Sequence, residues 1–224
     1  MRDKEQMESY IHYAMSMSGG FMGAYALLNR GEVFGSAQTA NMIHSVTDLF
    51  SGNWYSLVLR LTALLIFIAA VTAATLIPRF CSLDLRLICI LTEIPVIALL
   101  GFIPARTAPL VALYPVFFIM AFQWCAFSGV KGFVCSTIFS TNNLRQLISS
   151  LSNYWADRNK KHLEKASVYG FSLIFYHIGV ALCWFSSRAL GISSAWICIL
   201  PLLTALALME LEHIRFKEGR AQTA

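Results

Sequence analysis

The sequence predicts an all-α integral membrane protein with six transmembrane helices plus two short re-entrant or broken helices, built as two inverted structural repeats. The 224-residue chain is 57% hydrophobic, and its mean hydropathy is +0.62. Only 13% of its residues are charged, against about 25% in soluble globular domains. Several apolar runs approach the roughly 20 residues that a helix needs to cross a hydrocarbon core. Two short polar segments at matching places in the two halves complete the fold prediction.

Apolar periodicity and the Gly and Pro residues between the apolar runs predict the helical segments. They are expected at 10–29, 36–50, 54–78, 84–103, 107–130, 135–152, 166–187 and 191–212. The first contains Gly19, Gly20 and Gly23, so its backbone can approach a neighbouring helix closely. The segments 36–50 and 135–152 differ from the others because they are short and polar.

A faint internal repeat relates the two halves of the chain. Residues 24–41 align without a gap with residues 126–143, and a Thr-x-Asn triplet coincides in the two copies. Each half then reads as a long helix, a short polar helix and two long helices. We therefore expect two membrane repeats, residues 1–104 and 105–224, that together form one membrane domain.

The positions of Lys and Arg predict the orientation in the membrane. Cytoplasmic loops carry an excess of these residues, and the stretches 157–165 and 215–220 are strongly basic. If both short helices re-enter, the chain crosses an inner (plasma) membrane six times with both termini in the cytoplasm. If both span, there are eight crossings, and Arg79 and Arg86 move outside. With six crossings the two halves have opposite orientations, as in transporters built from inverted repeats.

Each short helix is expected to carry a polar stripe. The spacing i, i+3, i+4, i+7 places four residues of the first short helix on one face, namely Asn41, His44, Ser45 and Asp48. The second helix repeats i, i+3, i+7 with Asn143, Gln146 and Ser150. We expect the stripes to face each other across a central site for a small polar or anionic solute. The expected substrate-binding residues are Gln38, Thr39, Asn41, His44, Asp48, Gln123, Thr141, Asn143 and Gln146. The alternative is that these side chains only hold helices together by hydrogen bonds.

Five ionisable residues are expected to act in coupling or charge, namely Arg30, Glu32, Glu93, Lys131 and His177. Arg30 and Lys131 come just before the short helices, whose N-termini attract anions. Glu93 and His177 lie midway along apolar helices, where an ionisable group is costly. Either of them would be able to exchange protons during a transport cycle. The alternative is that the cations lie at the membrane interface and that the other two are satisfied inside the bundle.

The segment from Gly19 to Ile43 resembles the first signature of the YoaK-like family of bacterial inner-membrane proteins. Members typically have a G-x-x-D-A stretch, a glycine loop with Val-Phe, and T-G-N. In this chain Gly23 stands where the acid is usual. The other stretches that correspond to the two family signatures are Val33-Phe34, Thr39-Ala40-Asn41, Gln123-Trp124 and Thr141-Asn142-Asn143. The resemblance implies about six spans and no established activity.

The motifs of soluble enzymes are missing from the sequence. It contains no G-x-x-x-x-G-K-[ST], no G-x-S-x-G and no H-E-x-x-H, and its cysteines, which form no C-x-x-C pair, are interpreted as packing residues. We therefore predict a secondary-type carrier or channel that is not an enzyme and needs no cofactor. Its expected partners are the solute and membrane lipids. The basic tail is expected to contact anionic lipid head groups rather than nucleic acid. The glycine face of the first helix allows a homodimer.

Two alternatives to a transporter follow from the same residues. The first is a non-transporting membrane assembly or lipid-interaction protein, in which the polar stripes are helix contacts. The second is an intramembrane enzyme, for which the sequence offers no visible pair of nucleophile and base.

Overall fold

A computed structural model describes residues 2–31 and 38–221 of the chain. The helices are α1 Arg2–Asn29, α2 Gln38–Ser51, α3 Trp54–Phe80, α4 Leu85–Leu100, α5 Pro109–Ala112, α6 Tyr114–Ala126, α7 Ser140–Asp157, α8 Lys160–Leu190 and α9 Ile199–Ala221. The strands β1 Gly129–Val130 and β2 Phe133–Val134 form an antiparallel hairpin, and a 3₁₀ segment occupies Gly191–Cys198. The all-α fold class is confirmed, and the hairpin is a small addition to it.

The predicted helix 107–130 is interrupted twice. Pro115 lacks a backbone N–H, and its ring blocks the carbonyl four residues earlier, so that α5 ends and α6 begins beside it. At the other end, Lys131 and Gly132 both have positive φ angles, 52° and 75°, which is the backbone that a two-residue hairpin turn requires. The hairpin therefore replaces the end of this helix, and the second short helix begins at Ser140 instead of residue 135.

The core forms where α1 packs on α8 and α9. Gly20 lies against the backbone carbonyl of Tyr176, and Gly179 lies against the backbone carbonyl of Met17. A Cβ atom at either glycine would overlap the facing carbonyl. The prediction that the glycine face of the first helix packs closely against a neighbour is confirmed.

The remaining helices pack in a defined set of pairs. α6 packs on α3 and α4, α2 on α3, α7 on α8, and α4 on α9. One hydrophobic core contains side chains from α1, α3, α4, α6, α8 and α9. The two short helices α2 and α7 thus each pack mainly on the helix that follows them in the chain.

Two helical stretches are long and apolar enough to cross a membrane. They are α3 and the continuous run Lys160–Arg215, which joins α8, the 3₁₀ segment and α9. Only 22% and 33% of their most apolar windows are buried inside the protein, so most residues of these windows are not buried, whereas a helix in the core of a soluble protein is mostly buried. This supports a membrane protein, while six crossings and their orientation remain predictions.

Candidate functional site

Four consecutive residues before α7 are buried although their backbone is not helical. Cys135, Ser136, Thr137 and Ile138 are exposed by 0%, 9%, 0% and 1%, and we call residues 135–138 the buried segment. It lies against α1 at Gly19, where a Cβ atom would overlap the backbone carbonyl of Thr137. Buried backbone groups outside a helix must find hydrogen-bond partners elsewhere.

Asn143 of α7 supplies two of these partners. Its Nδ2 donates to the carbonyl of Ser136 at 2.6 Å, and its Oδ1 accepts from the N–H of the same residue at 3.2 Å. The Ser136 hydroxyl oxygen accepts from the N–H groups of Ile138 and Phe139, both at 3.2 Å. Asn143 is 2% exposed, so this predicted site residue holds the buried segment in its non-helical form.

Gln123 of α6 joins the buried segment to α1. Its Nε2 donates to the carbonyl of Met15 and to the Thr137 hydroxyl, both at 2.9 Å. The side chain is fully buried, and its Oε1 has no hydrogen-bond partner within residues 2–31 and 38–221. A buried acceptor without a partner costs about 1–3 kcal/mol. Gln123 therefore offers a free acceptor beside the buried segment.

Glu93 of α4 is a second buried acceptor. It is 1% exposed, and its Oε1 accepts from the thiol of Cys89, one turn earlier, at 3.1 Å. Its Oε2 has no partner in the part of the chain that the structure describes. This carboxyl group lies inside the bundle, and its role in coupling stays a prediction.

The first polar stripe contacts α3. The Nε of Arg60 donates to Asp48 at 2.9 Å, and its Nη1 donates to the Oδ1 of Asn41 at 3.2 Å. The Nδ2 of Asn41 in turn donates to Gln38 at 3.4 Å. Arg60 is not among the residues predicted for the site. The residue could have been noticed because it is a charge near the start of an otherwise apolar run.

The two stripes have different partners. The first binds Arg60 and the second binds the buried segment, and no hydrogen bond between α2 and α7 appears in the described ranges. Three other residues predicted for the site are exposed, namely Thr39, His44 and Thr141, and Gln146 is half-buried. A shared site between the stripes stays a prediction.

Arg30 is buried at the end of α1. Its Nη1 donates to the carbonyl of Pro104 at 3.0 Å, and its Nη2 donates to the carbonyls of Ile103 at 2.8 Å and Leu100 at 3.4 Å. These carbonyls lie at and just after the C-terminal end of α4, which carries the partial negative charge of the helix. Arg30 thus ties α1 to α4, and its predicted attraction for an anion stays a prediction.

The other predicted charged residues lie apart from one another. Lys131 is in the hairpin turn and is half-buried. His177 is exposed on α8, where its Nδ1–H donates to the carbonyl of Leu173 at 2.8 Å. Glu32 lies outside the described residues, as do Val33 and Phe34.

Loss of Arg60 is expected to loosen α2 from α3. Arg60→Ala removes hydrogen bonds to Asp48 and Asn41. The ion pair is largely shielded from water, because the side chains of Arg60 and Asp48 are only 18% and 14% exposed. Hydrogen bonds to charged groups each contribute about 1.5–3 kcal/mol. We expect Arg60→Ala to lower the free energy of unfolding by about 2 kcal/mol, measured by denaturant titration in detergent. Asp48→Ala should lower the free energy of unfolding by less, because Arg60 still donates to Asn41. If the effects of Arg60→Ala and Asp48→Ala are strictly additive in the double variant, the pairing of these two residues is contradicted.

Comparison with known proteins gives a family. The model of a protein family of unknown function (DUF1275) matches residues 11–209. No curated protein and no solved structure matches the chain. The matched residues run from α1 into α9 and include the buried segment with Gln123 and Asn143. The chain belongs to the DUF1275 family of proteins of unknown function.

Proposed function

We propose that the protein is a membrane transporter, a secondary-type carrier or a channel, for a small polar solute. The observation that carries the proposal is the buried segment, which interrupts the helical bundle between α6 and α7 and is held by Gln123 and Asn143. Within a membrane, irregular backbone is tolerated only where it is buried in protein or lines a cavity. Transporters build their solute sites from such interrupted helices.

The free polar atoms indicate the chemistry of the solute. Oε1 of Gln123 and Oε2 of Glu93 are buried acceptors without partners in the described residues. They favour a solute that carries hydrogen-bond donors. The solute is an anion in one form of this proposal. Lys131 and the N-terminus of α7, where free N–H groups attract negative charge, would then bind it.

The packing of the helices supports two repeats, residues 1–104 and 105–224. We pair α1 with α6, α2 with α7, α3 with α8, and α4 with α9. Under this exchange the packing of α1 on α8 and α9 corresponds to that of α6 on α3 and α4. The packing of α2 on α3 corresponds to that of α7 on α8, and the α4–α9 contact maps onto itself. This symmetry favours two related halves, and six spans, inverted halves and cytoplasmic termini in an inner membrane are further parts of the proposal.

One observation favours the alternative of a non-transporting assembly or lipid-interaction protein. Arg60 binds Asn41 and Asp48, so part of the first stripe is a helix contact. The opposite face of α2 presents Ile43 and Phe50, which are 60% and 85% exposed. Such a face fits lipid or a second copy of the chain as well as it fits a transporter.

Uptake by reconstituted protein tests the proposed function. We expect liposomes that contain the protein to accumulate at least one of four labelled probes, acetate, phosphate, glycine or urea, in a saturable manner. Gln123→Leu should reduce that uptake at least tenfold, because it removes both the free acceptor and the link to Thr137. Gln6→Leu, the same change at an exposed position of α1, is the matched control and should transport normally.

The outcome also separates the two hypotheses. Gln123→Leu counts only if it elutes from size-exclusion chromatography as the unaltered protein does. Absence of uptake for the whole panel, together with absence of any thermal shift by these probes, favours the non-transporting alternative.

A further inference from the structure

A cavity of about 220 Å³ lies at one end of the bundle, and no residue of the buried segment lines it. It is bounded by the start of α1, the start of α4 and the turn after α6. Its polar wall consists of Glu8, His12 and Arg86, and its apolar wall includes Ile11, Phe127 and Val130. None of these residues belongs to the buried segment or to the two polar stripes.

His12 is the most unusual group in this wall. It is 2% exposed, and both ring nitrogens are buried without a hydrogen-bond partner in residues 2–31 and 38–221. A neutral imidazole has one donor and one acceptor nitrogen. Burial of both without partners is unfavourable, and a ligand in the adjoining cavity would satisfy the acceptor. Glu8 precedes His12 by one helical turn, so both lie on the same face of α1.

Neighbouring carboxylates offset the charge of Arg86, the cation in the cavity wall. Arg86 donates to Asp84 at 2.7 Å, and its Nη2 lies 3.5 Å from Glu212. Burial by itself would raise the pKa of Asp84, but the hydrogen bonds from Arg86 outweigh it and lower that pKa. Asp84 therefore stays ionised and offsets the charge of Arg86. Glu212 is 6% exposed, and its Oε1 has no partner among the described residues.

Glu8 is the carboxylate that lines the cavity. Lys4 lies 3.8 Å from it, and the side chain of Lys4 is 54% exposed. An exposed ion pair of this length contributes little and is screened by salt. Among the described side chains that line the cavity, Glu8 therefore keeps its capacity to accept hydrogen bonds, whereas Arg86, the one cation, is paired with Asp84.

We propose that this cavity binds a primary ammonium group. The Glu8 carboxylate and the acceptor nitrogen of His12 receive its hydrogen bonds, and a short alkyl portion packs against Ile11 and Phe127. An ammonium group has three donors and no acceptor, which matches the free acceptors of this wall. A free small amine and the aminoethyl head group of a phospholipid share this chemistry. Because the cavity shares no residue with the buried segment, the site is independent of the proposed transport.

The test observes His12 directly. The protein has five histidines; of the other four, His44, His177 and His213 are exposed and His162 is half-buried. With these four changed to Gln, ¹⁵N-histidine labelling gives the ring signals of His12 alone. We expect methylammonium chloride to shift these signals saturably in lipid-free detergent micelles, and potassium chloride at equal ionic strength to leave them unchanged.

Variants at Glu8 sharpen the test. Glu8→Gln should weaken the apparent affinity for methylammonium at least tenfold, and Glu8→Asp, which keeps the charge, should weaken it by less. Glu5→Gln, a carboxylate on the same helix that does not line the cavity, should leave the affinity unchanged. Each variant is compared at an equal fraction of folded protein, measured by thermal unfolding.

Three results would overturn the proposal, namely no saturable shift in either lipid-free micelles or phosphatidylethanolamine nanodiscs, an equal shift with potassium, or a shift with sodium sulfate in place of methylammonium. If methylammonium gives no shift in micelles, the protein is measured in lipid nanodiscs. A shift that appears only in nanodiscs with phosphatidylethanolamine, and is absent with phosphatidylcholine, assigns the ammonium group to a lipid head group and supports the proposal. Since the readout is binding, its failure leaves the transport proposal standing, and a failure of uptake leaves this site standing.

Discussion

Gly179→Ala is expected to prevent α8 from packing against α1. The added Cβ would overlap the backbone carbonyl of Met17 and lie 2.9 Å from the backbone N of Phe21. Both obstacles are backbone atoms, so no change of rotamer relieves the overlap, and the two helices must move apart. Overpacking of a core costs about 1–3 kcal/mol, and separation of the helices also weakens packing along the rest of the crossing.

The gain in helix propensity does not cancel this loss. Ala is more favourable than Gly by about 1 kcal/mol in a helix interior. We expect the free energy of unfolding to fall by about 2 kcal/mol, with a matching loss of monodisperse protein in fluorescence-detected size-exclusion chromatography after heating. Gly20→Ala should behave alike, because its Cβ would overlap the carbonyl of Tyr176.

Gly170→Ala is the matched control on the same helix. Its Cβ would meet only the side chain of Leu147 at 3.7 Å, which is an ordinary contact. The propensity gain then acts alone, and we expect unchanged or slightly higher stability. Equal melting temperatures for Gly170→Ala and Gly179→Ala would contradict the close crossing of α1 and α8.

Asn143→Ala is expected to abolish transport of the solute identified by the uptake experiment. The change removes both hydrogen bonds to the backbone of Ser136. The N–H and C=O groups then lose their partners while buried, at a cost of about 1–3 kcal/mol each. The buried segment should therefore lose its present conformation, and we expect at least a tenfold fall in the uptake rate.

Asn142→Ala provides the control one residue away. Asn142 is exposed, and its side chain bonds only to Arg145, at 3.0 Å, within the described residues. It should transport at nearly the rate of the unaltered protein. Asn143→Asp keeps the acceptor for the Ser136 N–H but places a carboxylate oxygen against the Ser136 carbonyl, so it should remain inactive. Normal uptake by Asn143→Ala would remove the buried segment from the proposed site.

Local features of the sequence predicted much of the fold. Low charge and long apolar runs predicted the helical bundle, because a chain with so little polar surface must pack apolar helices. Gly19 and Gly20 predicted a close helix contact, because only residues without a side chain allow backbones to meet. The importance of Gln123 and Asn143 was also predicted, since polar amides in apolar surroundings need partners.

Other features were beyond local reasoning. The division of the helix 107–130 depends on a hairpin turn at Lys131, a residue for which a positive φ is uncommon. The pairing of Arg60 with Asp48 depends on how α2 folds back on α3. The burial of His12 is invisible in a sequence, where it appears near a charged and polar start.

The sequence by itself determined where most of the helices lie, how apolar they are, and where small residues permit close approach, because these properties depend on neighbours in the chain. Only the tertiary structure decided which polar groups meet. Gln123 bonds to Met15 across 108 residues, and Gly179 receives the carbonyl of Met17 from the opposite end of the chain. Such partners follow from the packing of whole helices, and the same packing leaves the acceptors of Gln123, Glu93 and His12 free.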